Sequence, residues 1–301
     1  MKRWQIIVLI LVAPVIVLSG YLFLQIRSLE VEKLSDDLFV LRGLGGNTAV
    51  LRTDEGAIVV DTMTTSLQGR RIRNMAKSLT GVDPMIVINT HYHSDHTHGN
   101  PAFAPGTRVL STERTLSHLH IIDGDFWSGN RAALLPTEII TDHQTLSIGG
   151  KTLELIHPGP GHTDGDLVIL FADEGVIHMG DLLFNAHYPN IDLEAGGSVQ
   201  KWPDTLDKVL ELPFEQAIPG HGLTTDRAGI EQFQAFMNQL AQIAINAAES
   251  QLSLEETVAT DRLTKDAGYE PIRFIVPIGL DREFVLTRAW EEVTGNYTRK
   301  N

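Results

Sequence analysis

The chain has 301 residues and carries 24 Lys+Arg against 38 Asp+Glu, a formal net charge of −14. That acidic balance argues against a phosphate-backbone binder, whose affinity is built from Lys/Arg counterion release, while 43% apolar and 21% charged residues suit a globular body with a large core. The absence of cysteine excludes disulfides, thiolate zinc sites, iron–sulfur clusters and Cys nucleophiles.

Lys2 and Arg3 precede an almost wholly apolar run, Ile6–Leu24, which as a helix spans about 28 Å, close to the hydrocarbon thickness of a bilayer. No small-x-small site closes the run, so residues 1–27 read as an N-terminal transmembrane helix, with a cleaved signal segment as the alternative. The basic start predicts an inner-membrane protein with its N-terminus in the cytoplasm and the body, residues 28–301, in the periplasm or extracytoplasmic space. Cleavage would instead release the body to the periplasm.

Arg27–Lys33 reads as a charged connector. Strands are expected over Leu38–Leu41, Thr48–Arg52 and Ala57–Asp61, the last two joined by an Asp54-Glu55-Gly56 turn. The spacing of Leu67, Ile72, Met75, Ala76 and Leu79 predicts a helix over Ser66–Leu79, and Pro84–Asn89 suits a buried strand that runs into a histidine cluster. Asp166–Ala172, a second Asp-Glu-Gly turn and Val176–Asp181 then echo the earlier strand, turn, strand, Asp. A half repeated once predicts two sheets packed face to face with helices outside. Gly229–Gln251 has apolar residues at helical spacing, Ser253–Glu256 is a capping box opening another helix, and Asp281–Gly295 is a third. Residues 229–301 are therefore expected as helical elements of the same domain.

The chemistry concentrates in Asn89–Asn100, where His91, His93, Asp95 and His96 form His-x-His-x-Asp-His. Three imidazoles and a carboxylate in so short a stretch are costly to bury unpaired, and they are the donors that Zn²⁺, Fe²⁺ and Mn²⁺ take in a site without cysteine. Alternate residues at a strand end point one way while Asp95 and His96 turn another, so one segment can serve two metals about 3.5–4 Å apart. Two ligand shells need more donors. His162 in a Gly/Pro-rich turn, Asp181 at a strand end and His221 between glycines can supply them.

These five ordered motifs, over about Leu34–Leu223, resemble the metallo-β-lactamase superfamily of metal-dependent hydrolases. The resemblance implies an α+β fold, the four-layer αβ/βα sandwich, with the C-terminal helices and N-terminal transmembrane helix added. It implies that His91, His93 and His162 bind one metal, that Asp95, His96 and His221 bind a second, and that Asp181 bridges them as in hydroxyacylglutathione hydrolases. The expected cofactor is two Zn²⁺, with iron or manganese accepted by the same donors. The β-lactamases with a Cys ligand carry it where Asp181 stands and have a basic residue for His96, and the flavodiiron oxidoreductases have Glu where this chain has His93. The stretch Gly180–Asp192, followed by Gly196, Gly197, Ser198 and Trp202, is similar to a branch of bacterial metallohydrolases associated with quinoprotein relays or sulfur oxidation.

The function so implied is hydrolysis of an ester, thioester or lactam carbonyl in a small molecule, with Asp95 and Asp181 at the reacting centre. No nucleic-acid partner is expected, and membrane contact is expected through the N-terminal helix. Asp61 and His98 are candidates to brace ligands through hydrogen bonds, and Phe184–Asp192 is the candidate substrate wall, with His187, Tyr188 and Asn190 as polar contacts. An iron-dependent oxidoreductase of the same superfamily, or a non-catalytic metal-binding protein tethered to the membrane, stays open.

Overall fold

The computed structural model describes residues 28–273 and 279–297. The expected transmembrane helix falls on residues outside that range; among the described residues no helix is long and apolar enough to cross a membrane.

The first sheet runs β1 (Glu30–Lys33), β2 (Leu38–Arg42), β3 (Thr48–Arg52), β4 (Ala57–Val60), β5 (Pro84–Ile88), β6 (Arg108–Thr112) and β7 (Glu138–Ile140), neighbours in that order. β1 to β4 pair antiparallel and β4 to β7 parallel, so the sheet is mixed. The second sheet is also mixed, with spatial order β13-β12-β11-β10-β9-β8. Its strands are β8 (His143–Ile148), β9 (Lys151–Ile156), β10 (Val168–Phe171), β11 (Val176–Phe184), β12 (Gln216–His221) and β13 (Thr225–Asp226). Only β11 and β12 pair parallel. β14 (Ile272–Arg273) and β15 (Gly279–Leu280) form a separate pair. The helices are α1 (Ser66–Thr80), α2 (Ser94–Thr97), α3 (Glu113–Ile121), α4 (Trp202–Leu210), α5 (Arg227–Glu249), α6 (Leu254–Thr260) and α7 (Arg282–Thr294).

Strand alternation sorts the apolar residues into layers. Leu38, Val40, Ile58, Val60, Ile86 and Ile88 of the first sheet meet Leu153, Leu155, Ile169 and Phe171 of the second in one buried cluster between the sheets. Their neighbours Phe39, Leu41, Val59 and Val87 face outward and pack with Ile72 and Ala76 of α1. On the far side Val168, Leu170, Ile177 and Met179 pack with Trp202 and Leu206 of α4 and with Phe233, Phe236, Leu240, Val285 and Leu286 of α5 and α7. The expected face-to-face sheets with helices outside are therefore present, and both Asp-Glu-Gly turns join antiparallel hairpins, β3–β4 and β10–β11.

Helix ends follow local chemistry. Thr65 caps α1 by accepting from the Gln68 N–H, Asp281 caps α7 from Phe284, and the Ser253/Glu256 capping box of α6 is formed in both directions. One segment departs from expectation. Glu30–Lys33, read as a connector, is a strand at the sheet edge, where alternating charges are what an exposed edge tolerates. Ser28 and Leu29 just before it pack on Gly43, where an added Cβ would stand 2.9 Å from Leu29 Cδ2 and 3.2 Å from Ser28 O.

Candidate metal centre

β4, β5, β11 and β12 bring their C-terminal ends to one edge of the sandwich, and the ligand candidates lie there. β4 delivers Asp61, whose φ of +62° turns the chain out of the strand. β5 leads into His91–His98, of which Ser94–Thr97 wind into α2. β11 bends at Gly180, where φ is +50° and the pairing with β12 shifts register, and the bend aims Asp181. β12 ends at His221. Gly220 is a close approach: a Cβ there would lie 1.9 Å from Asp181 Oδ1.

Two donor groups result. His91, His93, His162 and Asp181 have donor atoms within 4.8 Å of one another, as do Asp95, His96 and His221. Asp181 stands between them. Its Oδ2 is 3.8 Å from His91 Nε2 and 3.6 Å from His162 Nε2, while its Oδ1 is 3.1 Å from His96 Nε2 and 3.5 Å from His221 Nε2. His221 Nε2 also lies 3.2 Å from Asp95 Oδ2. These are the groups that the resemblance implied, with one carboxylate oxygen turned toward each.

The outer nitrogens are held by other partners. His91 Nδ1 lies 3.0 Å from Thr90 Oγ1, His96 Nδ1 lies 2.7 Å from Asp61 Oδ2, and His162 Nδ1 donates to Asn190 O at 2.7 Å. His93 is reversed: Nε2 lies 2.8 Å from Asp192 Oδ2 and Nδ1 faces His162 Nε2 at 2.8 Å. Asp192 also accepts from Tyr92 OH at 2.5 Å and from the Glu194 and Ala195 N–H groups. Asp61 accepts from Thr90 N and Oγ1 at 2.9 and 2.7 Å, next to the ligand candidate His91.

His91 Nε2, His96 Nε2 and Asp181 Oδ1 are buried without a hydrogen-bond partner, the 3.1 Å approach of the last two being misaligned for one. Buried polar atoms are normally satisfied; the two imidazole nitrogens are left over with their rings' other nitrogens already partnered, and Asp181 Oδ1 stands beside them, so the donor set fits divalent cations. Electrostatics agree. Burial pushes His91 down, reinforced by the His96 charge, and burial with His93 pushes His162 down to about 4. Against burial, Asp181, Asp95 and Asp61 hold His96 well above its ordinary value, and Asp181 and Asp95 raise His221 to about 9. Asp181 is held well below the usual carboxylate range, burial notwithstanding, by His96, His221 and His91.

A cavity of about 1000 Å³ opens on the centre, with His93, Asp95 and His221 at its base and Arg42, Leu44, Asn185, His187, Asn190 and Leu223 among its walls. His187 and Asn190 thus stand where a substrate wall was expected. Tyr188 does not: it is buried, donates to Asp266 Oδ2 at 2.7 Å and packs on Phe236 and Tyr269. His98 braces no ligand; it sits 2.8 Å from Asp123 Oδ2 and stacks on Phe126. Asp192 was the missed residue. Its place in the expected wall was visible, but the contact spans 99 positions.

The metallo-beta-lactamase superfamily is the family whose model matches, over residues 41–221. The alpha subunit of 2,4-dinitroanisole O-demethylase from Nocardioides sp. (strain JS1661) is 26% identical over 233 residues, 74% of this chain and 67% of that one. Metallo-beta-lactamase type 2 from Bacillus sp. (strain 170) is 24% identical over 211 residues, 66% of this chain and 79% of that one. Among solved structures, a metallo-beta-lactamase from Pontibacter korlensis superposes with a TM-score of 0.61 at 21% identity, covering 70% of this chain and 99% of the other.

Proposed function

Because the chain belongs to the metallo-β-lactamase superfamily, whose members include metal-dependent hydrolases, we propose that it is a dinuclear zinc hydrolase acting on an ester, thioester or lactam carbonyl of a small molecule. The observation that carries the reading is Asp181, which turns one oxygen to each donor group.

Two divalent cations held there would supply a Lewis acid for the carbonyl oxygen and an acidified water near neutral pH. His91, His93 and His162 would hold one, Asp95, His96 and His221 the other, with Asp181 shared. Asp61 and Asp192 fix which nitrogen His96 and His93 present, so the donors are oriented before the cations arrive. Asp95 lines the cavity and its Oδ2 lies 3.2 Å from His221 Nε2, so in this reading it orients the attacking water and carries its proton toward the leaving group. The water oxygen bonds to the carbonyl carbon, the acyl–heteroatom bond breaks, and the departing heteroatom takes the proton. The apolar run Ile6–Leu24 and the basic Lys2 and Arg3 support a membrane-anchored protein with this body in the periplasm.

Metal content of the full-length chain by plasma mass spectrometry tests the proposal. Close to two zinc ions per chain, falling in Asp181→Ala, together with turnover of an ester, thioester or lactam, is the expected result. Iron in place of zinc moves the chemistry to oxidation–reduction, and no tightly held metal overturns the hydrolase.

A further inference from the structure

We propose, on the reading of the two donor groups as metal sites, that the loop between β2 and β3 clamps the group Asp95, His96 and His221, with Asn47 as its positioning residue. Asp95 and His96 follow a strand of the first sheet, whereas His221 ends a strand of the second. Strand pairing within either sheet therefore does not set how far these donors stand from one another. The loop spans the gap. Gly46 N–H donates to Asp95 O at 3.0 Å, and Asn47 N–H donates to Gly220 O at 2.8 Å. The Asn47 side-chain amide donates to Pro219 O and Gly222 O, both at 2.9 Å. Carbonyl oxygens only accept, so the amide nitrogen is the end that faces them. One residue thus holds the backbone on both flanks of His221.

The same loop lies against the third donor. A Cβ added at Gly46 would stand 2.2 Å from His96 Cε1 and 2.5 Å from His96 Nε2, so only glycine lets the loop close on that ring. Behind the loop is His178, a fully buried imidazole outside both donor groups. Its Nδ1 lies 3.1 Å from Gly180 N and its Nε2 lies 3.2 Å from Asn47 O. A backbone N–H only donates and a carbonyl only accepts, so Nδ1 is bare and Nε2 carries the proton. Burial pushes this ring below its ordinary value, which suits that neutral form. His178 therefore ties Asn47 to the left-handed bend at Gly180 that aims Asp181. Among the described residues, no hydrogen bond of Gly46 or Asn47 reaches His91, His93 or His162. The clamp bears on one donor group and not on the other.

The test titrates Co²⁺ into the metal-free full-length chain, following the visible absorption of bound cobalt and setting each affinity by competition with a chromophoric chelator. Asn47→Leu keeps the bulk of the side chain, adds no charge and removes both amide donors. It is expected to weaken one equivalent by roughly 10- to 100-fold, to change that ion's absorption, and to leave the other equivalent within about twofold. His221→Ala identifies the site, because it takes a donor from the clamped group. In that background Asn47→Leu is expected to leave the surviving equivalent within about twofold. Asn47→Ser, which keeps one donor, is the milder variant; it is expected to weaken the same equivalent less, and it decides the matter if Asn47→Leu does not fold. Weakening of both equivalents alike, loss of the equivalent that survives in His221→Ala, or two equivalents bound as in the parent overturns the clamp alone. A parent chain that takes up no Co²⁺ overturns the reading of the donor groups as metal sites, and the clamp with it.

Discussion

Asp192 reads His93 from outside the ligand cluster. With Nε2 held by the carboxylate, Nδ1 is the nitrogen left facing His162, whereas His96 and His162 turn Nε2 inward. Asp192→Asn keeps the shape but weakens this hold on the ring. The expected outcome is a loss of roughly 10- to 100-fold in affinity for one metal equivalent, with the other held as before, read by competition with a chromophoric chelator. Equal weakening of both equivalents would assign Asp192 a general structural role. Gly220 makes a second, steric prediction. Because a Cβ there would collide with Asp181 Oδ1 at 1.9 Å, Gly220→Ala must displace the shared carboxylate. Metal content should fall well below that of the parent, with a stability cost of roughly 1–3 kcal/mol by chemical denaturation.

At the level of elements, α7 is tied to the chain that follows Asp192. Glu292 accepts from Ser198 Oγ at 2.5 Å and from the Val199 N–H at 2.6 Å, so the C-terminal helix steadies the segment that holds His93 in place. Glu292→Ala leaves both donors unpaired and should cost about 1–3 kcal/mol, measured as a shift in urea midpoint. Elements were legible in the sequence where one face or one cluster was apolar: α1, α5, β3 and the β10–β11 hairpin lie within a few residues of their expected bounds. The segment from Arg108 to Ile156 carried no such mark. β8, His143–Ile148, is exposed over most of its length and so lacks the apolar alternation that announces a strand. Ligands were legible because a metal needs several donors and four of them fall within Asn89–Asn100. The Asp192–His93 pair and the inward turn of Tyr188 depend on how loops pack, which neither spacing nor residue type records.

For the whole molecule, metal and proton compete. Without metal, His96 lies well above 6.5 and His221 is raised from 6.5 to about 9. A group with a raised folded pKa stabilises the fold below its unfolded value and loses that contribution as pH climbs through the folded one. Metal-free protein should therefore lose stability between about pH 6.5 and 9. Metal binding must displace those protons and so tightens over the same window. The difference in unfolding free energy between zinc-loaded and chelator-treated protein should widen with pH, reaching about 4 kcal/mol for each site at which free zinc is a thousandfold over Kd. A gap that narrows with pH would contradict the assignment of His96 and His221 as proton-bearing ligands.

Ser28 and Leu29 rest against Gly43, and Gly43 lines the cavity. Were the chain anchored through residues 1–27, as proposed, the tether would join the body at Ser28, next to the cavity, and the opening would lie near the lipid. An amphiphile dissolved in the leaflet would then arrive by lateral diffusion in two dimensions, at a surface concentration far above its level in bulk water. Catalysis at that boundary would depend on lipid composition and on the area of membrane, not on the volume of the compartment.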